Sequence, residues 1–164
     1  MIKSSLTLFW KNIGVNNLKS TKDTIGGNYT MLYDKNYIRI SNEFYIHPVD
    51  ENAYKIFKLN PDIAFHSIKF TLLMVDPNTG DKITSAFINP NKKKLSSMKV
   101  EDIYHQIGYI KAFINLCTVL FDINTIEVSK KNEFLIEAYK ECRFFENKDM
   151  EPDDKEFNII MKMV

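Results

Sequence analysis

Between Ile68 and Val128 the sequence writes a hairpin and then, directly after it, a strand–helix–strand unit. Few architectures accommodate both in a row. Ile68–Val75 is a run of β-branched and apolar residues, Asp76-Pro77-Asn78-Thr79-Gly80 is a strong turn signal, and Ile83–Ile88 is the return strand. Together they predict an antiparallel pair. Past the polar, basic loop Asn89–Lys94 come a further strand, Leu95–Val100, an apolar helix near Ile103–Leu120, and a short strand, Thr125–Val128. In that helix Ile107, Ile110, Ile114 and Cys117 share one face. Glu101 and Asp102 stand at its expected start, where negative charge suits the helix dipole. A parallel crossover of this kind is right-handed. The sheet is therefore expected to be mixed, with helices on both faces.

The flanks extend the same α/β (α+β) reading. Phe44–His47 is β-prone, and Asp50 can cap a helix over Glu51–Leu59 that ends at Asn60-Pro61. Asn132–Cys142 reads as a helix with Leu135, Ala138, Tyr139 and Cys142 on one face, and Phe157–Met163 as a closing strand. Residues 1–42 differ: Ser5–Trp10 is a short apolar run, Asn12–Asn28 reads as loop, and Thr30–Tyr33 and Tyr37–Ile40 flank a turn at Asp34-Lys35-Asn36. The chain thus divides into a β-rich extension, 1–42, and a main domain, 43–164.

Composition excludes more than it selects. At 164 residues, with 45% hydrophobic and 13% aromatic content, the chain can bury a core without disulfides or metals. A net charge of +1 gives no global footprint for nucleic acid or membrane. No apolar stretch approaches the ~20 residues needed to span a bilayer, and the N-terminus lacks a signal-peptide pattern. A cytoplasmic protein is expected. Cys117 and Cys142, with His47, His66 and His105, show no metal-ligand spacing, so two buried thiols and no metal site are expected.

Three blocks carry a resemblance. The first is Phe44-Tyr45-Ile46-His47-Pro48-Val49-Asp50-Glu51-Asn52-Ala53. The second runs from Met98-Lys99-Val100 through Tyr104-His105-Gln106-Ile107-Gly108-Tyr109-Ile110 to Phe113. The third begins at Val128 and includes Asn132, Tyr139 and Phe144. In order and spacing these resemble the GNAT-type N-acetyltransferase superfamily: its opening strand and helix, its fourth strand leading into the CoA-binding helix, and its pattern of Asn, six residues, Tyr, four residues, Phe.

The resemblance implies a GNAT-like acyl-CoA N-acyltransferase fold, a mixed central sheet flanked by helices, with acetyl-CoA as co-substrate. Its pyrophosphate would sit on amides around His105, Gln106, Ile107, Gly108, Tyr109 and Ile110, because a helix N-terminus offers unpaired N–H groups and a positive dipole end. The strand edge around Met98 and Val100 would pair with the pantetheine arm. Tyr139 would donate a proton to the departing thiolate, since a phenol stays protonated at neutral pH; a core aromatic is the competing reading. Asn132 is expected as a helix N-cap, with a cofactor contact as an additional role.

The pattern has departures. His105 replaces an Arg or Gln and is open to three readings: a phosphate contact, a base, or a solvated surface residue, the last favoured. Ile110 replaces a small residue, and fits only if its side chain points into the core. Arg143 stands where glycine commonly ends the fourth helix, which suggests a different helix ending. Lys92-Lys93-Lys94 reads as a solvated loop, with CoA phosphate a weak alternative. No general base is assigned.

Two function classes follow. An N-acetyltransferase, acting on a small-molecule or protein amine, predicts an open cleft between 95–100 and 124–128 with Tyr139 facing it. A catalytically inactive GNAT-like binding or structural module, for instance of phage or mobile-element origin, predicts that cleft filled. Residues 1–42 are the candidate surface for a homodimer or protein partner.

Overall fold

The computed structural model describes residues 37–164. Eight strands lie in one sheet among them: β1 (Ile38–Arg39), β2 (Phe44–Pro48), β3 (Phe70–Val75), β4 (Lys82–Asn89), β5 (Lys94–Val100), β6 (Thr125–Ser129), β7 (Phe144–Glu146) and β8 (Asn158–Met163). The α-helices are α1 (Glu51–Leu59), α2 (Pro61–Ser67), α3 (Ile107–Leu120) and α4 (Glu133–Glu141). The segments expected at Ser5–Trp10, Asn12–Asn28 and Thr30–Tyr33, and the turn at 34–36, lie outside the described residues. β1 falls within the expected segment Tyr37–Ile40 and pairs with β2, Ile38 opposite Ile46.

The strand order is β1-β2-β3-β4-β5-β6-β8-β7. β1 through β5 run antiparallel, each beside its predecessor. β5 and β6 are parallel and are joined through α3. β8 then inserts antiparallel between β6 and β7. The sheet is mixed, as the hairpin followed by a crossover requires.

Paired residues share a face, and register shows which. Ile46 opposes Leu72, Leu72 opposes Ala86, Ile88 opposes Leu95, Leu95 opposes Ile126, and Ile126 opposes Met161. All these side chains belong to one buried cluster that also holds Phe57 of α1, Phe65 of α2, Phe113 of α3 and Leu135 of α4. Phe57 meets Phe70 edge-on at 5.6 Å, and Phe65 stacks on Phe121 at 5.3 Å. Among the described residues the helices therefore pack on one face, which corrects the expectation of helices on both. The physical reason is strand alternation: Thr71, Ser85, Ser96 and Glu127 point the other way, and such residues do not form a helix-binding surface. Among the described residues that face carries a small cluster of Tyr45, Leu73 and Val75, with Tyr37 against it.

Element ends follow local chemistry. Asp50 Oδ1 accepts from the Ala53 amide at 2.8 Å, the expected cap of α1. Pro61 ends α1 but also opens α2, a helix not foreseen: proline at the first helical position lacks only a donor that would be unpaired there anyway. The short strand β7 was likewise not foreseen. α3 starts at Ile107 and not near Ile103, because Gln106 is extended (φ −131°, ψ 135°) and Asp102–Tyr104 forms a separate 3₁₀ turn. Glu101 and Asp102 thus do not sit on the N-terminus of α3, and Glu101 instead lies 3.5 Å from the Lys82 ammonium. Arg143 corrects a further expectation. It keeps the left-handed conformation (φ 71°) in which glycine would be at ease, so α4 does end in the glycine-type manner.

Candidate active site

The parallel ladder between β5 and β6 consists of Lys94 opposite Thr125 and Leu95 opposite Ile126, and stops there. A β-bulge explains the parting. On β4 the step from Phe87 to Ser85 spans two residues, while on β5 the matching step from Ser96 to Lys99 spans three. Ser97 takes up the extra residue with φ 55°. Bulges bend the strand that carries them, and β5 leaves β6 at this point while β6 stays in register with β8 along its whole length.

The opening is a cleft of about 370 Å³ whose walls include Ser96, Met98, Glu127, Val128, Asn132 and Tyr139. Register places Val128 on the helix-covered face and Ser96 and Glu127 on the other, so the cleft is lined from both faces of the sheet. The carboxyl ends of both parallel strands border it, the usual location for a ligand in a sheet of this kind.

On the helix side Tyr139 dominates. It is 1% exposed, and its hydroxyl donates to Met98 Sδ at 3.1 Å. Burial, with the neighbouring Cys117 and Cys142 adding to it, pushes the phenol pKa up from its usual value, so the proton stays on the oxygen throughout the neutral range. Asn132 caps α4, its Oδ1 accepting from the Leu135 amide at 3.1 Å, and it also faces the cleft. Of the residues singled out in the sequence, Met98, Asn132 and Tyr139 come together here.

The others lie at the end of β5 and beyond it. The Val100 carbonyl is 3.1 Å from His105 Nε2. The His105 ring stacks on Phe134 of α4, centroids 4.8 Å apart and planes 11° apart. His105 is exposed as favoured, yet it is held by both β5 and α4 and so is not simply solvated. Gln106 and Gly108 are exposed, Ile107 and Tyr109 half-buried. Tyr109 meets Tyr104 edge-on at 5.3 Å. Ile110 is fully buried in the core cluster, the orientation its bulk required. Gln106 gives α3 no side-chain cap, which leaves its first-turn amides without one. A Cβ added at Gly108 would meet nothing within 4 Å, so packing does not require glycine there.

On the opposite face the sequence reading missed a network. Lys94 Nζ lies 2.7 Å from Glu127 Oε1 and 3.0 Å from Asp153 Oδ2. Glu127 also accepts from Asn158 Nδ2 at 2.7 Å and from the Asp153 amide at 2.9 Å. Burial alone would raise the Glu127 pKa. The bonds from Lys94, Asn158 and the Asp153 and Asp154 amides outweigh it and bring the group down to about 2. So acidic a carboxylate is a poor proton acceptor, and Glu127 is not a general base although it lines the cleft. Its sequence signal was a lone carboxylate between Ile126 and Val128 in an apolar strand. Lys94 corrects the reading of the lysine run: it is buried and begins β5. Lys93 pairs with Asp122 at 2.9 Å. The run sits at the opposite end of β5 from the start of α3, away from the amides expected to meet phosphate.

Among the described residues no group of three or more His, Cys, Asp or Glu side chains is placed to hold a metal ion. Cys117 is buried, Cys142 half-buried, and neither is in a disulfide. No helix among the described residues is long and apolar enough to cross a membrane.

No protein-family profile and no curated protein matches this sequence. Among solved structures, the chain is similar to an acetyltransferase from Agrobacterium tumefaciens, at 14% identity over 78% of this chain and 94% of that one, with a TM-score of 0.45. It is similar to the ribosomal-protein-S18-alanine N-acetyltransferase from Escherichia coli, at 15% identity over 73% and 92%, TM-score 0.43. A dodecameric spermidine N-acetyltransferase from Vibrio cholerae matches at 14% identity over 70% and 73%, TM-score 0.42. The mixed sheet, the crossover from β5 through α3 to β6 and the parting of that parallel pair are the architecture that the GNAT-type resemblance of the three sequence blocks implied.

Proposed function

We propose that the protein is an acetyl-CoA-dependent N-acetyltransferase acting on an amine. The observation that carries this reading is the Tyr139 hydroxyl inside a cleft formed where β5 and β6 part. Acetyl-CoA would supply an acetyl group as a reactive thioester.

Five features of the chain suit that molecule. The inner edge of β5 beyond Leu95 has no strand partner among the described residues, and an amide-bearing arm can add to such an edge. The uncapped first turn of α3, with open space above Gly108, suits a pyrophosphate. Tyr139 holds a proton where a departing thiolate would need one. Asn132 orders the start of α4 and lies within reach of the same arm. Ser97 and Met98 of the bulge have no opposite partner on β4, and their amides are the ones that would polarise a carbonyl.

Because the cleft is lined from both faces of the sheet, an amine can approach from the side opposite the helices and attack directly. The new N–C bond forms as the C–S bond breaks. Tyr139 protonates the sulfur, and the proton lost by the amine restores the phenol. The amine must arrive uncharged, a role left to solvent because Glu127 is too acidic to take its proton.

Titration calorimetry with acetyl-CoA tests the reading, with Gly108→Trp as control. Micromolar binding that Gly108→Trp abolishes supports it and justifies a screen of small and peptidyl amines. No heat at millimolar acetyl-CoA overturns it in favour of a non-catalytic module.

A further inference from the structure

The hydrogen bond from Tyr139 ends on a sulfur atom that belongs to the protein itself. Met98 Sδ accepts at 3.1 Å. The pair is almost closed off, with Tyr139 1% and Met98 9% exposed, and both side chains line the cleft. A thioether is a weak acceptor, and a buried phenol usually finds an oxygen partner. What a thioether does share with a thioester or thiolate is sulfur in a hydrogen-bond-accepting role.

Backbone geometry explains why Met98 is the residue there. It follows Ser97, the left-handed residue of the bulge, and the extra residue turns Met98 onto the helix-covered face, where its side chain joins the core cluster. Methionine has three rotatable bonds and no branch at Cβ, so it leaves such a position more easily than leucine or isoleucine.

We propose that Met98 is a resident stand-in for the ligand's sulfur: its thioether holds the hydrogen-bonding position on Tyr139 that the sulfur of an acyl-CoA takes, and it must rotate aside for that ligand to seat. This deepens the acetyl-CoA reading and rests on it. Met98 is then a specificity-determining residue. With the resident sulfur in place, only a fraction of molecules is ready to bind, and apparent affinity falls by that fraction. A ligand that presents sulfur regains the hydrogen bond on displacing Met98, whereas one that fills the cleft without sulfur does not.

The test compares acetyl-CoA with ADP, which carries a pyrophosphate but no pantetheine arm, by calorimetry. Met98→Ala should tighten acetyl-CoA about fivefold, the equivalent of one net hydrogen bond, and leave ADP unchanged. In a Tyr139→Phe background the same change should give a smaller gain. Unchanged or weaker acetyl-CoA binding in Met98→Ala, or an equal gain in both backgrounds, overturns the proposal while leaving the acetyl-CoA reading intact. If neither ligand binds wild type, the acetyl-CoA reading falls and this inference with it. Because truncating a buried methionine can unfold a chain, a second measurement uses wild-type protein with ¹³C-methyl methionine, assigned through Met98→Leu. The Met98 methyl resonance should move on adding acetyl-CoA and stay in place with ADP. A methyl that ignores acetyl-CoA at saturation overturns the displacement.

Discussion

The Lys94 ammonium lies 2.7 Å from the Glu127 carboxylate, on the two strands that part just past Leu95 and Ile126. The pair ties the closed end of the cleft together from the face opposite the helices. Both side chains are nearly buried, 11% and 5% exposed. Removing one partner from such a pair costs far more than the pair contributes, because a charge is left without compensation. Lys94→Met should therefore lower stability by about 3 kcal/mol, measured by urea unfolding. The double change Lys94→Met with Glu127→Leu should cost clearly less.

Glu127 also sets an acid limit. Its pKa in the folded protein is about 2, against an ordinary value of 4.5. As pH falls the unfolded chain takes up this proton first, so the stabilisation is present above pH 4.5 and disappears between 4.5 and 2. Its size is about 3 kcal/mol. Chemical denaturation at a series of pH values should show that loss, and Glu127→Gln should flatten the acid limb over the same window.

Tyr139→Phe should separate chemistry from folding. The hydroxyl donates to a weak acceptor, Met98 Sδ, so the variant should lose less than about 1 kcal/mol of stability. Turnover of acetyl-CoA with an accepted amine should fall roughly a hundredfold or more. A drop in turnover matched by an equal drop in melting stability would return Tyr139 to a packing role.

Gly108 offers the converse separation. Its missing Cβ faces open space, so Gly108→Ala should be tolerated and should stabilise the helix start by up to about 1 kcal/mol. Gly108→Trp should fold but weaken acetyl-CoA at least tenfold (roughly 1.4 kcal/mol). Thermal melts and calorimetry on the same two variants check both halves.

Arg143 carries strain at the end of α4. With φ at 71° it occupies the left-handed region, a cost of roughly 1–2 kcal/mol for a residue with a Cβ. Arg143→Gly relieves that cost but gains flexibility in the unfolded chain, so a net gain of about 0.5 kcal/mol is expected. Arg143→Val should lose about 1 kcal/mol or more, since β-branching tolerates this conformation worst. Thermal unfolding distinguishes the two.

The hairpin, the crossover and α4 were legible because each rests on periodicity or turn chemistry within a short window. Tyr139 stood out through the family pattern that Asn132, Tyr139 and Phe144 resemble, and its position beside Met98 in the cleft agrees with the expected orientation. What escaped depends on distant partners or on a single residue. Lys94 reads as the end of a basic loop until parallel register sets it beside Glu127, 33 positions later. The bulge is one extra residue at Ser97, and serine has no propensity that announces it. The start of α3 shifted because an extended Gln106 and a buried Tyr104 precede it, neither of which helical spacing reveals. The helices' shared face follows from Thr71, Ser85 and Glu127, polar side chains whose common direction appears only once the strands are paired.

The parting of β5 from β6 has a consequence for association between molecules. A strand with one side unpaired normally invites another chain to zip onto it, the first step of sheet-to-sheet aggregation. Here the unpaired sides of Ser96–Val100 and of the end of β6 face each other across a gap inside the protein. The fold thus keeps open strand edges in the middle of its sheet, where a slender extended ligand can reach them and a neighbouring protein's sheet cannot.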